Sequence, residues 1–359
     1  MEEKKEGELE YILLAHQYAN NMSFFELRLI NMTLKYSLIF SALFVFSACG
    51  AKTEQKAKAQ QVADTVVISE QISNAVPEVS AAEQTDTLPT YIDSYTKADS
   101  ALVCQLLQEF VPQRQQLTND QLIIKIARKF IGVPYIAHTL DINEDEKLVI
   151  NLHGLDCTTY VEAVTALALC TKKGETRFSD YVRQLEQIRY RDGKMSYINR
   201  LHYFHWWLED NERMGFVTEI DTPNPPFTAV QTLKINYMSL NARLYDMLRN
   251  NPERVAELKK LEDATNGTKL RYIPKSLLNN SKLLREVIRD GDILAIVTSK
   301  RELDTTHLGF AVWHKDGLHL MNASNLRKNG NKVVDPVETL YNYMMARPAN
   351  LGIRVVRIQ

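Results

Sequence analysis

The chain has 359 residues, with 43 Lys and Arg against 44 Asp and Glu for a formal net charge of −1. That balance, with no basic stripe interleaved with aromatics, removes the electrostatic basis for binding nucleic acid or an anionic membrane surface. An apolar fraction of 45% is ordinary for a folded protein and allows a sizeable core, in one large domain or two small ones.

Near the N-terminus Lys35 precedes an apolar run over 36–46, followed by Ser47-Ala48-Cys49-Gly50. A short positive region, about a dozen apolar residues and small residues describe a secretory signal. The run is shorter than the ~20 residues a bilayer-spanning helix needs. Ser47 and Ala48 directly before Cys49 resemble a bacterial lipobox, in which that cysteine is acylated and becomes the mature N-terminus. Phe46 stands where Leu is usual, and an ordinary signal peptide or anchor helix is the alternative. A lipobox makes 32–49 the lipoprotein signal peptide and 1–31 an upstream extension ahead of the true start at Met32. Residues 50–97, rich in Ala, Gln, Thr, Ser and Glu, cannot bury enough surface to offset chain entropy and read as a flexible tether. The expected location is the cell envelope, lipid-anchored, on the periplasmic side and in the outer membrane of a Gram-negative bacterium.

A single domain is expected over 98–359. Asp99 is placed to cap a helix ending near residue 110, with Leu102, Leu106 and Phe110 on one face. A second helix follows Thr118 and stops at Gly132. Cys104 lies inside the first helix and reads as a core residue. Leu155-Asp156-Cys157-Thr158-Thr159 opens a helix over 158–171 that is apolar nearly all round, hence covered on most sides. The first-turn N–H groups and the helix dipole are expected to stabilise a thiolate at Cys157. Cys170, at the far end, reads as structural. Residues 215–290 are more polar and irregular and suggest an insertion at the rim of a site. Strands follow at 293–297, 308–313 and 318–323, the last two joined through an Asp316-Gly317 turn. Asp335-Pro336-Val337-Glu338 carries the signals of a helix start, running to about 347, and 352–358 closes the chain as a strand. Helices first and antiparallel strands after give an α+β layout.

A thiol at a helix start and a distant strand histidine, His307, are the two halves of a cysteine hydrolase. If the hairpin loop has two or four residues, odd positions of its first strand share a face with even positions of its second. His307 then lies beside Asn322, with His319 on the opposite face; a loop of three or five residues reverses this. Asn322 would accept a hydrogen bond from one imidazole nitrogen and leave the other to take the thiol proton. His138, His153, His202, His205, His314 and His319 each read as surface or core. His202 and Tyr203 adjoin Trp206 and Trp207, a cluster that packs the core or lines a groove for a sugar ring.

Gly132-x-Pro134-Tyr135, Asp156-Cys157-Thr158 opening a helix and His307-x-Gly309 on a strand together resemble the NlpC-type papain-like cysteine hydrolases of bacterial cell walls. The likeness is strongest to their N-acetylmuramoyl-L-alanine amidase-like branch, which shares Leu155-Asp156-Cys157-Thr158-Thr159, Tyr190-Arg191-Asp192-Gly193 and Arg200-Leu201-His202-Tyr203. It covers about 120–359. The resemblance implies a papain-like fold of helices on an antiparallel sheet, with Cys157 as nucleophile and His307 as base. It puts Asn322 in place of a third polar residue that is His in many relatives, and Tyr135 in the oxyanion site beside the Cys157 backbone N–H. Arg200, His202, Tyr203, Thr158 and Thr306 are implied to bind substrate. No metal or cofactor is implied. The implied partner is peptidoglycan or a muropeptide, cut by a monomer at the amide joining N-acetylmuramic acid to L-Ala. A stem-peptide endopeptidase, a non-catalytic muropeptide-binding lipoprotein and a transglutaminase-like acyl transferase are the alternatives.

Overall fold

The computed structural model describes residues 94–359. The proposed upstream extension, signal peptide, acylated Cys49 and most of the tether lie outside the described residues. Helix α1 (Lys97–Phe110) is capped by Thr96, whose hydroxyl accepts from Asp99 N while the Asp99 carboxylate accepts from Thr96 N. Asp99, expected as the cap itself, is therefore the reciprocal acid of a capping box. Its other oxygen accepts from Leu152 N at 2.8 Å, tying the helix to the strand-like 148–152 segment. Helix α2 (Asn119–Arg128) starts with a second such box, Thr118 and Gln121.

Helix α3 (Cys157–Lys173) is the central element, and every residue from Thr159 to Thr171 is buried. Next come α4 (Phe178–Arg189) and α5 (Phe204–Arg213). Helix α3 touches α1, α2 and α4 and also the strands over 305–314 and 317–324, which explains a sequence apolar all round. Within this layer Arg189 Nε donates to Glu162 Oε2 at 2.8 Å, with both side chains almost wholly inaccessible.

The segment expected to be an irregular insertion is woven into the sheet. It supplies β1 (Val217–Ile220), β2 (Ala229–Thr232), the short helices α6 (Tyr237–Leu240) and α7 (Asp246–Arg249), α8 (Pro252–Thr265), β3 (Lys269–Pro274) and α9 (Ser281–Leu284). Then follow β4 (Ile293–Thr298), β5 (Thr305–His314), β6 (Gly317–Ser324), β7 (Lys332–Val334), α10 (Leu340–Met345) and β8 (Asn350–Ile358). The eight strands of the described residues join one sheet, seven of them in the order β2-β3-β8-β4-β5-β6-β7 and β1 beside β8, every pairing antiparallel. Strands β1 and β3 share the same edge of β8, β1 along Val355–Ile358 and β3 along Gly352–Ile353. The result is the mixed fold of helices against an antiparallel sheet that the sequence pattern suggests.

Alternate strand residues feed two cores. Ile293, Phe310, Met321 and Val356 pack toward α1–α5, whereas Leu294, Ala311, Leu320 and Val355 pack toward α9 and α10. Coverage on both faces explains the uninterrupted apolar run of β4. Strands β5 and β6 pair from His314↔Gly317 to Phe310↔Met321, so the turn is Lys315-Asp316, one residue earlier than expected. Its length of two preserves the parity that places His307 with Asn322. A helix start at Asp335 is not found. Thr339 caps α10 by accepting from Asn342 N, because Asp335 and Pro336 are drawn instead to His314 and His319.

Candidate active site

Four stretches of chain converge at the start of α3. Asp156 accepts from Thr159 N at 2.8 Å, and Thr159 Oγ1 accepts from Asp156 N at 2.9 Å, a box that fixes Cys157 as the first helical residue. Just upstream, Leu155 N donates to Pro134 O at 3.0 Å and Ile136 N to Leu155 O at 3.1 Å, laying Tyr135 alongside. Tyr135 N also donates to Asn331 O at 2.8 Å. Beyond Phe310 no further β5–β6 pair occurs among the described residues, and β6 turns to β7 from Asn322 onward. Leu308 N–H is thereby free to point at the Cys157 thiol.

Cys157 does not rest as the expected thiolate. Burial, and then the Asp156 carboxylate, push its thiol up to about 12, outweighing the donors from Leu308 N, Thr158 Oγ1 and its own N–H. The helix start does supply donors, but desolvation of a charged sulfur costs more. The same two influences, burial first, raise the Tyr135 phenol, together with the neighbouring Cys157.

His307 Nε2 lies 2.9 Å from Asn322 Oδ1. The Asn322 amide orientation follows from its network: Nδ2 donates to Leu320 O at 2.7 Å, which turns Oδ1 to the ring. Imidazole Nε2 must then carry the hydrogen, leaving the Nδ1 lone pair to receive a proton. Burial lowers the His307 pKa below its ordinary value, against the raising effect of the Asn322 bond. The resting pair is a neutral thiol and a neutral imidazole.

Both side chains open into a cleft of about 250 Å³ that Thr158, Arg200, His202, Tyr203 and Thr306 also line. Asn322 stands behind His307, and Tyr135 flanks Cys157 outside that lining. Arg200 is buried and committed, with its guanidinium on Asp141, 3.6 Å from Glu146 Oε1 and donating to Leu140 O at 3.2 Å. His202 Nε2 donates to Tyr197 O at 2.8 Å; burial and then Arg200 hold it down to about 3, so it stays neutral. Tyr203 Oη donates to Glu262 Oε1 at 2.7 Å and accepts from Met238 N at 3.1 Å, pinning α6 over the cleft. Trp206 is core, its Nε1 donating to Thr265 Oγ1 at 2.7 Å, whereas Trp207 reaches the lining.

The family described as AmiA-like, N-acetylmuramoyl-L-alanine amidase-like, matches residues 125–353, a span containing all of these groups. The chain belongs to this family. It is similar to the crystal structure of a N-acetylmuramoyl-L-alanine amidase from Bacteroides uniformis, with 37% identity over 67% of this chain and 99% of that one, at a TM-score of 0.62. A Bacteroides fragilis structure provisionally described as a xylanase shares 37% identity over 65% of this chain and 99% of that one, at a TM-score of 0.60. A Legionella pneumophila protein, 24% identical over 74% of this chain and 97% of that one, shares the fold at a TM-score of 0.58. No curated protein matches the chain.

Some groups of this amidase-like site escape sequence reasoning. Asp141, Tyr237, Met238, Tyr245 and Asp304 all line the cleft. Asp304 is buried; it accepts from His205 N in the first turn of α5 and from Thr305 N, each at 2.7 Å, and so ties the start of β5 to α5. An acid set three residues ahead of His307 is the one local signal for it. Asp141 has none, since its partner Arg200 lies 59 residues away.

Proposed function

We propose that the protein is a cysteine amidase of bacterial peptidoglycan with an NlpC-type papain-like site, cutting the amide between the N-acetylmuramoyl lactyl group and L-Ala. The observation that carries this reading is the Asn322–His307 bond, which leaves a proton-accepting nitrogen in the cleft that holds Cys157. As Cys157 Sγ attacks the carbonyl carbon, its proton passes to His307 Nδ1. Because the thiol is neutral at rest, transfer and attack are coupled. The oxyanion is met by the Cys157 backbone N–H and the Tyr135 hydroxyl. His307 returns the proton to the departing L-Ala amine, leaving a thioester. It then takes a proton from water, which hydrolyses the thioester to the muramic acid carboxylate and restores the thiol.

The name carried by the B. fragilis relative favours a second reading, glycoside hydrolysis, which requires two working carboxylates. The two cleft carboxylates are both engaged, Asp141 by Arg200 and Asp304 by two backbone N–H groups. Acyl transfer through sulfur is therefore the better supported chemistry.

The test is incubation with defined muropeptides and mass spectrometry of the products, with Cys157→Ala as control. Release of the intact stem peptide supports the amidase, and free L-Ala-D-Glu would show an endopeptidase instead. Absence of any product would leave only binding. We place the protein in the cell envelope as a monomer held by acylated Cys49. Metabolic labelling with a fatty-acid analogue should mark the protein and fail to mark Cys49→Ser.

A further inference from the structure

We propose that His314, Asp316 and His319 bind a divalent transition-metal cation of the zinc class. One ligand atom from each lies within 4.8 Å of the others. The β5–β6 register pairs His314 with Gly317 and Val312 with His319, so the two imidazoles share a face one diagonal apart. Their rings stack with centroids 4.1 Å apart. By parity this is the face opposite His307 and Asn322, so the cluster is separate from the cleft.

The surroundings of the two rings suit a cation. His319 is fully buried, and its Nδ1 lies 2.8 Å from Pro336 O, a carbonyl that only accepts, so Nδ1 carries a hydrogen. Its other nitrogen, Nε2, faces the Asp316 carboxylate at 3.0 Å from Oδ1, a nitrogen and an oxygen close enough to hold one ion between them. Neighbouring ligands of a zinc-sized ion, each bonded at about 2.0–2.1 Å, stand at a comparable separation.

His314 completes the set. Its Nε2 is 3.0 Å from Asp335 Oδ1, a close contact that lacks hydrogen-bond geometry and leaves that buried oxygen without a hydrogen-bond partner. A carbonyl behind one imidazole and a carboxylate behind the other are the outer partners that orient metal-binding histidines. Two nitrogens and one oxygen suit zinc-class ions rather than calcium or magnesium, and exposed Asp316 leaves room for a water as fourth ligand. The His-x-Asp-x-x-His spacing is unlike a helical or knuckle motif, and only the hairpin closes it. A cation there would staple the turn end of the two strands whose far halves carry His307 and Asn322.

The test uses the full chain carrying Cys157→Ala, which removes the cleft thiol as a competing ligand. The protein is stripped with chelator and titrated with ZnCl₂ by calorimetry and with CoCl₂ by visible spectroscopy. One equivalent should bind and raise Tm, and the cobalt spectrum should show no sulfur-to-metal charge-transfer band. Asp316→Asn and His314→Gln should each weaken zinc binding at least tenfold while the metal-free circular dichroism stays unchanged. No saturable binding would overturn the proposal. Binding that is indifferent to both substitutions, or a cobalt spectrum with a thiolate band, would overturn it as well.

Discussion

At the residue scale the proposed mechanism turns on the protonation of two side chains. His307 must be neutral to accept the thiol proton, and burial lowers its pKa, so the acid limb of kcat/KM should fall below pH 6.5, the ordinary histidine value. The Cys157 thiol is pushed up to about 12, so no alkaline limb should appear through the mildly basic range. Alkylation of Cys157 by iodoacetamide should likewise accelerate steadily with rising pH; a plateau near neutrality would show a thiolate–imidazolium pair instead. In that mechanism Asn322 acts by positioning His307. Asn322→Ala should lower kcat on the order of 10²-fold or more with little change in KM, and Asn322→His should restore much of it. Gly309 permits the approach on which this depends. A Cβ there would stand 2.6 Å from Met321 O and 2.9 Å from Asn322 Cβ. Gly309→Ala should therefore cost about 1–3 kcal/mol in a denaturant melt and reproduce the Asn322→Ala kinetics.

At the scale of elements, what the sequence reveals is what short-range periodicity controls. The pairing of His307 with Asn322 was legible because a strand alternates faces, and a turn shifted by one residue without changing length leaves that parity intact. The start of α10 was not legible. Asp335-Pro336 carries the local signals of a helix start, but His314 and His319, on another element, claim both groups. The thiolate expectation failed for the same kind of reason, since the helix start is a local property and burial of the sulfur is a tertiary one. Covered on most sides, α3 also carries a charge inside. Arg189→Met would leave Glu162 buried without its partner and should destabilise by about 3–5 kcal/mol, read from the shift of a guanidinium midpoint. Adding Glu162→Gln should recover part of that loss.

Across the whole molecule, the 215–290 region decides whether the cleft and the sheet can be separated. It provides Tyr237, Met238 and Tyr245 to the cleft, and β1 and β3 to the edge of β8. A chain lacking 215–290 would expose that edge, so it should show no cooperative unfolding transition, whereas a detachable rim would leave one in place. Strand β8 lies between β3 and β4 in the sheet yet follows every other strand in the chain. Until Asn350–Ile358 pairs along both of its edges, β2-β3 on one side and β4-β5-β6-β7 on the other share no hydrogen-bonded ladder, so this strand is the seam that turns two ribbons into one sheet.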